Sequence, residues 1–327
     1  MTRRVLITTS PFGDTDPTAL RLLDEVGIVY RLNPFGRRLR EQEIAELIGP
    51  YEVVIAGTEP ITERVLDCAT NLRLIAHTGI GLDNIPLEAA RARGIAVTYT
   101  PSAPSPAVAE FTIGQMLALL RGTVNADRGM RQGVWNRWVG RRLSGLAIGV
   151  IGVGRVGRLV IQHLRAFRPA RILANDLIPD DSFAKQNGCT WIDKATIFRE
   201  ADIITLHVPL TRQTRHMVGP NELQVMKPDA ILINTARGGI IDETALAAAL
   251  QTRPTFSAGI DVFEDEPYTG ALTTLENCLV SCHMASCTRD CRLQMELEAA
   301  REVIRYFRGE PFVTPVPEAE YLVQSEK

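Results

Sequence analysis

Short continuous apolar runs alternate with longer stretches whose apolar residues return every three or four positions, and the alternation covers most of the chain. The runs at residues 5–9, 28–32, 53–56, 72–76 and 95–99 read as buried strands, and the stretches at 17–26, 41–48, 63–69 and 87–93 as amphipathic helices. Gly27, Gly49 and Gly94 follow three of these stretches, where a left-handed residue can close a helix without steric penalty. Such alternation predicts βα units around a parallel sheet. Prolines at positions 101, 104 and 106 then interrupt the pattern; Ser105 is placed to cap the next helix and Pro106 to occupy its first turn. That helix, 107–121, is apolar on most faces, which predicts burial between domains or against a second subunit.

After Leu146 the alternation resumes. Strands are expected at 147–153, 171–175, 203–208, 230–234, 257–262 and 279–281, with helices at 156–167, 195–200, 222–226, 244–251 and 288–308. Six strands with intervening helices predict a second doubly wound sheet. A chain of 327 residues exceeds one comfortable core, so two domains are expected: 1–100 joined by 287–327, and 101–286 between them.

Composition narrows the possibilities. Hydrophobic residues make up 45% and charged residues 23%, an ordinary globular balance. With 36 Lys and Arg against 38 Asp and Glu there is no basic field for nucleic acid, so any anionic ligand needs local donors. The apolar run at 5–9 is too short for a signal-peptide core, and no run approaches the roughly 18 residues of a membrane span. A cytosolic protein is the expectation. Four of the six cysteines (Cys278, Cys282, Cys287 and Cys291) fall near His283. Such a group could hold zinc or stay as reduced, partly buried thiols; the thiols are expected, with no metal and no disulfide in a reducing compartment.

The strongest chemical signal is Gly152-Val153-Gly154-Arg155-Val156-Gly157, placed between a predicted strand and a predicted helix. In such a turn the first glycine makes the bend, the second admits a pyrophosphate, and the third lets helix pack on strand. The helix N-terminus adds unpaired N–H groups and partial positive charge. Asp176 ends the next strand, 19 residues beyond Gly157, where a carboxylate accepts from ribose hydroxyls and repels a 2′-phosphate. Arg171 lies at the start of that strand, away from its tip. NAD is therefore the expected cofactor.

Three later strand ends carry a guanidinium, a carboxylate and an imidazole in sequence: Arg237, Glu266 and His283. Arg237 can grip a carboxylate or carbonyl through its planar fork. His283 can protonate an oxygen that becomes negative as hydride arrives, and Glu266 can orient the ring. Singly, each has an ordinary explanation as a loop cation, a solvated acidic run or a structural histidine. Their order behind a dinucleotide turn favours chemistry.

Taken with Thr78-Gly79-Ile80-Gly81-Leu82-Asp83-Asn84, His207-Val208-Pro209-Leu210-Thr211, and the segments around Arg237, Glu266 and His283, the chain resembles the D-isomer-specific 2-hydroxyacid dehydrogenase family, in its phosphoglycerate dehydrogenase-like branch. The resemblance implies Arg237, Glu266 and His283 as the catalytic group. It implies cofactor contacts from Gly152, Gly154, Arg155, Val156, Gly157, Asp176, His207, Pro209, Thr235, Ala236, Asp261 and Ser286. Thr78, Gly79, Ile80 and Gly81 would bind the substrate carboxylate together with Arg237, while Asp83 and Asn84 would shape the turn. The implied α/β fold has a flavodoxin-like substrate or lid domain, built from both termini, around an inserted Rossmann NAD-binding domain. A homodimer is implied, with helix 107–121 at its interface.

Some positions depart from that pattern. Phosphoglycerate dehydrogenases of this kind tend to carry arginine two residues before the turn's first glycine, where this chain has His77. An imidazole is a weaker phosphate partner than a guanidinium, which argues against 3-phosphoglycerate. Arg37 and Arg38 are read as a solvated face. The sequence ends at Lys327, so no added regulatory domain is expected, and Cys282 replaces a frequent proline, placing a thiol beside His283. The expected activity is hydride transfer between NAD(H) and carbon 2 of a small anionic 2-keto or 2-hydroxy acid, a 3-phosphoglycerate-like acid among the candidates. An NAD-sensing binding protein on the same fold is the alternative.

Overall fold

The computed structural model describes residues 3–325 and divides into two compact units. One comprises the chain up to Pro104 and from Cys287 onward, and the other comprises Ser105–Ser286.

In the first unit the strands are β1 (Arg4–Ile7), β2 (Val29–Leu32), β3 (Val53–Ala56), β4 (Leu74–His77) and β5 (Ala96–Thr98). They form a parallel sheet in the order β2-β1-β3-β4-β5. This is the flavodoxin-type order, whose switch point lies between β1 and β3. Helices α1 (Thr18–Glu25), α2 (Glu41–Ile48), α3 (Glu63–Cys68) and α4 (Leu87–Ala92) make the crossovers. Every residue of β3 and β4 is buried, as expected for central strands covered on both faces. Gly27 and Gly94 take φ of +70° and +68° just after α1 and α4. Gly49 differs from expectation: its φ is −50°, so α2 closes without a left-handed residue.

The C-terminal residues complete this unit. Helix α12 (Arg289–Arg308) buries Ala299, Ala300 and Val303 with Val5 and Ile7. A bridge pairs Thr98 with Pro315, and α13 (Glu318–Ser325) packs on α4, where Arg91 stacks on Tyr321 at 3.6 Å and pairs with Glu318 at 2.8 Å. The sequence pattern missed α13.

The second unit opens with α5 (Pro104–Arg121) and α6 (Thr123–Arg131). Pro104 already begins α5, so Ser105 lies inside its first turn rather than capping it. The unit continues through β6 (Ala147–Ile151), α7 (Arg155–Leu164), β7 (Arg171–Asn175), α8 (Asp181–Asn187), β8 (Thr190–Trp191), α9 (Lys194–Glu200), β9 (Ile203–Leu206), α10 (Pro220–Val225), β10 (Ile231–Asn234), α11 (Glu243–Thr252), β11 (Ser257–Ile260) and β12 (Cys278–Val280). The sheet is parallel, in the order β12-β11-β10-β9-β6-β7-β8. Six of its seven strands, β8-β7-β6-β9-β10-β11, have the order of a Rossmann sheet. Seven strands replace the six expected because β8 has two residues, too short for an apolar run. Helix α6 was also unforeseen: it buries none of its residues and so carries no apolar stripe. Helix α8 was missed too; Asp180 caps it, accepting from Phe183 N at 3.0 Å. The fold class is the expected one, two doubly wound parallel-sheet units.

Candidate active site

At the β6–α7 turn each glycine has a distinct physical reason. Gly152 has φ +90°, and a Cβ there would fall 2.4 Å from the His207 carbonyl oxygen. At Gly157 it would fall 2.0 Å from the Gly152 carbonyl oxygen, which fixes how closely α7 packs on β6. Gly154, by contrast, faces open space, and Gly154 and Arg155 are exposed at the start of the ten-residue α7. Backbone therefore stands bare where a pyrophosphate would approach a helix N-terminus. Val156 is half-buried behind it.

Asp176 follows β7 and reaches back to this turn, accepting from Val153 N at 2.6 Å and from Ile178 N at 3.1 Å. The next two positions are the exposed Leu177 and Ile178, so no cation follows Asp176 to receive a 2′-phosphate. Arg171, at the other end of β7, pairs with Glu200 at 2.9 Å. These residues fit NAD. After β9, loss of solvation pushes the imidazole of the half-buried His207 down to about 3, and its Nε2 lies 3.0 Å from Thr205 Oγ1. Pro209 is exposed two residues later.

Strands β10, β11 and β12 run side by side, with Asn234 in register with Ile260 and Ile260 with Val280. Their exits therefore deliver three loops to one edge. In the first loop, Asn234 Nδ2 donates to the Arg237 carbonyl at 2.8 Å, and Asn234 Oδ1 accepts from Ala236 N at 3.0 Å. Gly238 follows; a Cβ there would lie 1.9 Å from the Phe263 carbonyl oxygen, so this loop presses directly on the next. Phe263 stacks on Tyr268 with centroids 4.1 Å apart, bracing the loop that carries Glu266.

Glu266 and His283 meet. His283 Nδ1 lies 2.9 Å from Oε2 and 3.1 Å from Oε1 of Glu266, and Phe263 N donates to Oε1 at 3.2 Å. A carboxylate on Nδ1 selects the tautomer protonated there and leaves Nε2 for proton exchange. The pair is partly exposed, with side-chain exposures of 33% and 22%, so a small molecule can reach it. The remaining acids of the run are separately engaged or open: Glu264 pairs with His216 at 2.9 Å, and Asp265 is exposed. Ser286, also implied, is half-buried at the end of this unit.

In the first unit, the Thr78–Gly81 turn follows β4. Thr78 Oγ1 donates to the Ala56 carbonyl at 2.9 Å, and Thr100 N donates to the Gly79 carbonyl at 3.0 Å. His77 is buried beneath it; a Cβ at Gly79 would come within 2.7 Å of its Nε2. Ile80 and Gly81 are half-buried. Asn84 shapes the turn by donating to the Gly57 and Glu59 carbonyls at 2.7 and 2.6 Å. Nearby Glu59 is buried, accepts from Gly57 N at 2.8 Å and from Thr8, and is pushed up by loss of solvation. Arg37 pairs with Glu43 at 2.6 Å, and Arg38 donates to the Thr58 carbonyl at 2.7 Å.

A model of the "D-isomer specific 2-hydroxyacid dehydrogenase, NAD binding domain" matches residues 113–285. The chain belongs to the D-isomer specific 2-hydroxyacid dehydrogenase family. Its reaction class is NAD-linked oxidoreduction of a D-2-hydroxy acid, in the phosphoglycerate dehydrogenase-like branch. It is 37% identical to a D-3-phosphoglycerate dehydrogenase of Methanocaldococcus jannaschii over 305 residues, covering 90% of this chain but 57% of that protein. It is 36% identical to a glyoxylate reductase of Aeropyrum pernix over 322 residues, covering 94% and 93%. A D-lactate dehydrogenase from Aquifex aeolicus, solved with NAD and lactic acid, superposes with TM-score 0.84 at 25% identity, covering 96% and 98%. The chain thus spans little more than half of the first relative and nearly all of the second.

Among the described residues no group of three or more His, Cys, Asp or Glu could hold a metal ion, and no helix is long and apolar enough to cross a membrane. Cys278 and Cys291 are buried, and burial pushes their thiols up to about 12 and about 11. Cys282, beside His283, is exposed. Sequence reasoning missed Thr112, Gln115 and Ser281, polar residues buried or half-buried behind the loops. The available signal was Thr112 and Gln115 three residues apart on a helix that is apolar on most faces.

Proposed function

We propose that this protein reduces a small 2-keto acid with NADH, and oxidises the matching D-2-hydroxy acid in reverse, with His283 as the acid–base group. The 2.9 Å contact between His283 Nδ1 and Glu266 carries the reading. In reduction, bound NADH supplies the hydride. His283 gives the Nε2 proton to the carbonyl oxygen as that oxygen becomes an alkoxide, and Glu266 keeps the ring in register while it exchanges the proton. Arg237 binds the substrate carboxylate and balances charge on the carbonyl oxygen. In the other unit, the backbone N–H groups of Gly79, Ile80 and Gly81 are of the kind that suits a carboxylate, whereas that of Thr78 already donates to the Ala56 carbonyl at 2.7 Å. On the cofactor, Gly152–Gly157 carry the pyrophosphate and Asp176 the adenosine ribose, with His207, Pro209, Thr235, Ala236 and Ser286 lining the rest of its length.

The substrate is of glyoxylate or hydroxypyruvate size and lacks a phosphate. The position where related phosphoglycerate enzymes carry arginine is the buried His77, and a buried imidazole offers a phosphate far less than an exposed guanidinium. The protein is a cytosolic homodimer. The surface from Val124 to Val139 supports that subunit count: Val124, Met130, Val134, Trp135, Trp138 and Val139 are exposed together along one segment.

One preparation tests both statements. NADH oxidation, followed by absorbance, should be fastest with glyoxylate or hydroxypyruvate and at least tenfold slower, as kcat/KM, with phosphohydroxypyruvate. Sedimentation should give the mass of two chains. Preference for the phosphorylated acid would defeat the substrate assignment, and a monomer the dimer. Protein that turns over no keto acid but changes assembly state on adding NADH would favour an NAD-sensing role.

A further inference from the structure

Helix α5 buries three polar side chains, Ser105, Thr112 and Gln115, of which the last two reach the reactive loops. Thr112 and Gln115 are three residues apart, hence neighbours on one side of the helix, and exposed to 0% and 4%. The Thr112 hydroxyl spends its proton on the Val108 carbonyl at 2.8 Å. At 2.9 Å from Thr235 Oγ1 it therefore accepts, and the donor is Thr235, which lies in the turn leading to Arg237.

Gln115 begins a second chain. Its Nε2 donates to Ser281 Oγ at 3.2 Å, and Ser281 Oγ donates to Asp261 Oδ1 at 2.6 Å. The direction is forced, because the carboxylate only accepts and the serine has one proton, so the Gln115 group facing Ser281 must be its NH2. Asp261, wholly buried, also accepts from Met284 N at 3.0 Å and Ala285 N at 2.9 Å, while its carbonyl accepts from His283 N at 2.8 Å. These bonds converge on a strained point. His283 has φ +51°, a conformation that a residue with a side chain keeps only when its surroundings hold it. Strand β11 leaves space for the device: a Cβ at Gly259 would lie 2.8 Å from Gln115 Oε1.

We infer that Thr112 and Gln115 are positioning residues, and that α5 acts as a spine setting both reactive turns. Thr112 fixes the Arg237 turn through Thr235. Gln115 fixes the His283 turn through Ser281 and Asp261, so the Asp261 carboxylate serves the loop rather than being reserved for the cofactor. The inference rests on His283 as the acid–base group. Losing Gln115 removes the donor that orients the Ser281 hydroxyl toward Asp261, which keeps its backbone donors from Met284 and Ala285; a neutral hydrogen bond of this kind corresponds to roughly three- to tenfold in rate.

The test compares Gln115→Met, Ser281→Ala, Ser281→Thr and the Gln115→Met/Ser281→Ala double variant. The expected result is a three- to tenfold fall in kcat for Gln115→Met and Ser281→Ala, with the NADH Kd within twofold of wild type. Ser281→Thr keeps the hydroxyl and should retain most of the rate, and the double variant should be no slower than the slower single one. Wild-type kcat in both single variants would overturn the inference, as would single effects that multiply in the double variant or kcat losses matched by weaker NADH binding. A wild-type protein inert toward every keto acid would instead remove the acid–base reading, and the spine with it.

Discussion

The two glycine turns of this chain use the missing side chain differently. At the β6–α7 turn, backbone lies against backbone: Cβ atoms at Gly152 and Gly157 would run into main-chain oxygens at 2.4 and 2.0 Å. At the turn after β4, the atom facing Gly79 belongs to a side chain, His77 Nε2, at 2.7 Å. A main-chain oxygen one residue past a strand end is tied to the strand that precedes it, whereas the buried His77 contributes a side chain that can turn about its own bonds. The cofactor end is thus fixed by the fold itself. The turn after β4, proposed to meet the substrate, instead faces one side chain.

That contrast can be broken at either turn. Gly157→Ala should have the larger effect, since overpacking with no flexible neighbour costs about 1–3 kcal/mol, which borne at the cofactor turn is roughly 5- to 150-fold in NADH Kd by fluorescence titration. Gly79→Ala should leave the NADH Kd within twofold and raise the keto-acid KM only a few-fold, because His77 can yield. Equal losses of NADH affinity in both variants would mean that the turns do not differ in this way.

The same contrast explains what could be read without coordinates. The parallel sheets, the glycine turn and the order Arg237, Glu266, His283 were legible because βα alternation and strand-exit chemistry leave local patterns. Hydrogen bonds between distant segments leave none. Ser281 is indistinguishable from any serine at a strand end until Gln115, 166 residues earlier, is seen to donate to it. Helices α6 and α13 escaped for another reason: α6 buries no residue, and α13 is placed by packing on α4, by buried Tyr321 and by Gln324 donating to the Leu82 and Ile85 carbonyls, contacts that leave no local apolar stripe. The misplaced start of α5 follows from reading Ser105 as a cap, when the first turn is instead begun by Pro104, whose fixed φ suits that position.

The central claim is that proton transfer runs through His283 on a scaffold that binds NAD independently of it. A single-turnover measurement with His283→Asn isolates that step, because preformed enzyme–NADH complex is mixed with excess glyoxylate or hydroxypyruvate and the loss of reduced nicotinamide is timed. The hydride-transfer rate constant should fall by roughly 10²–10⁴ while NADH affinity stays within twofold of wild type. A rate constant within about threefold of wild type would show that the proton comes from another group, and the assignment would fail.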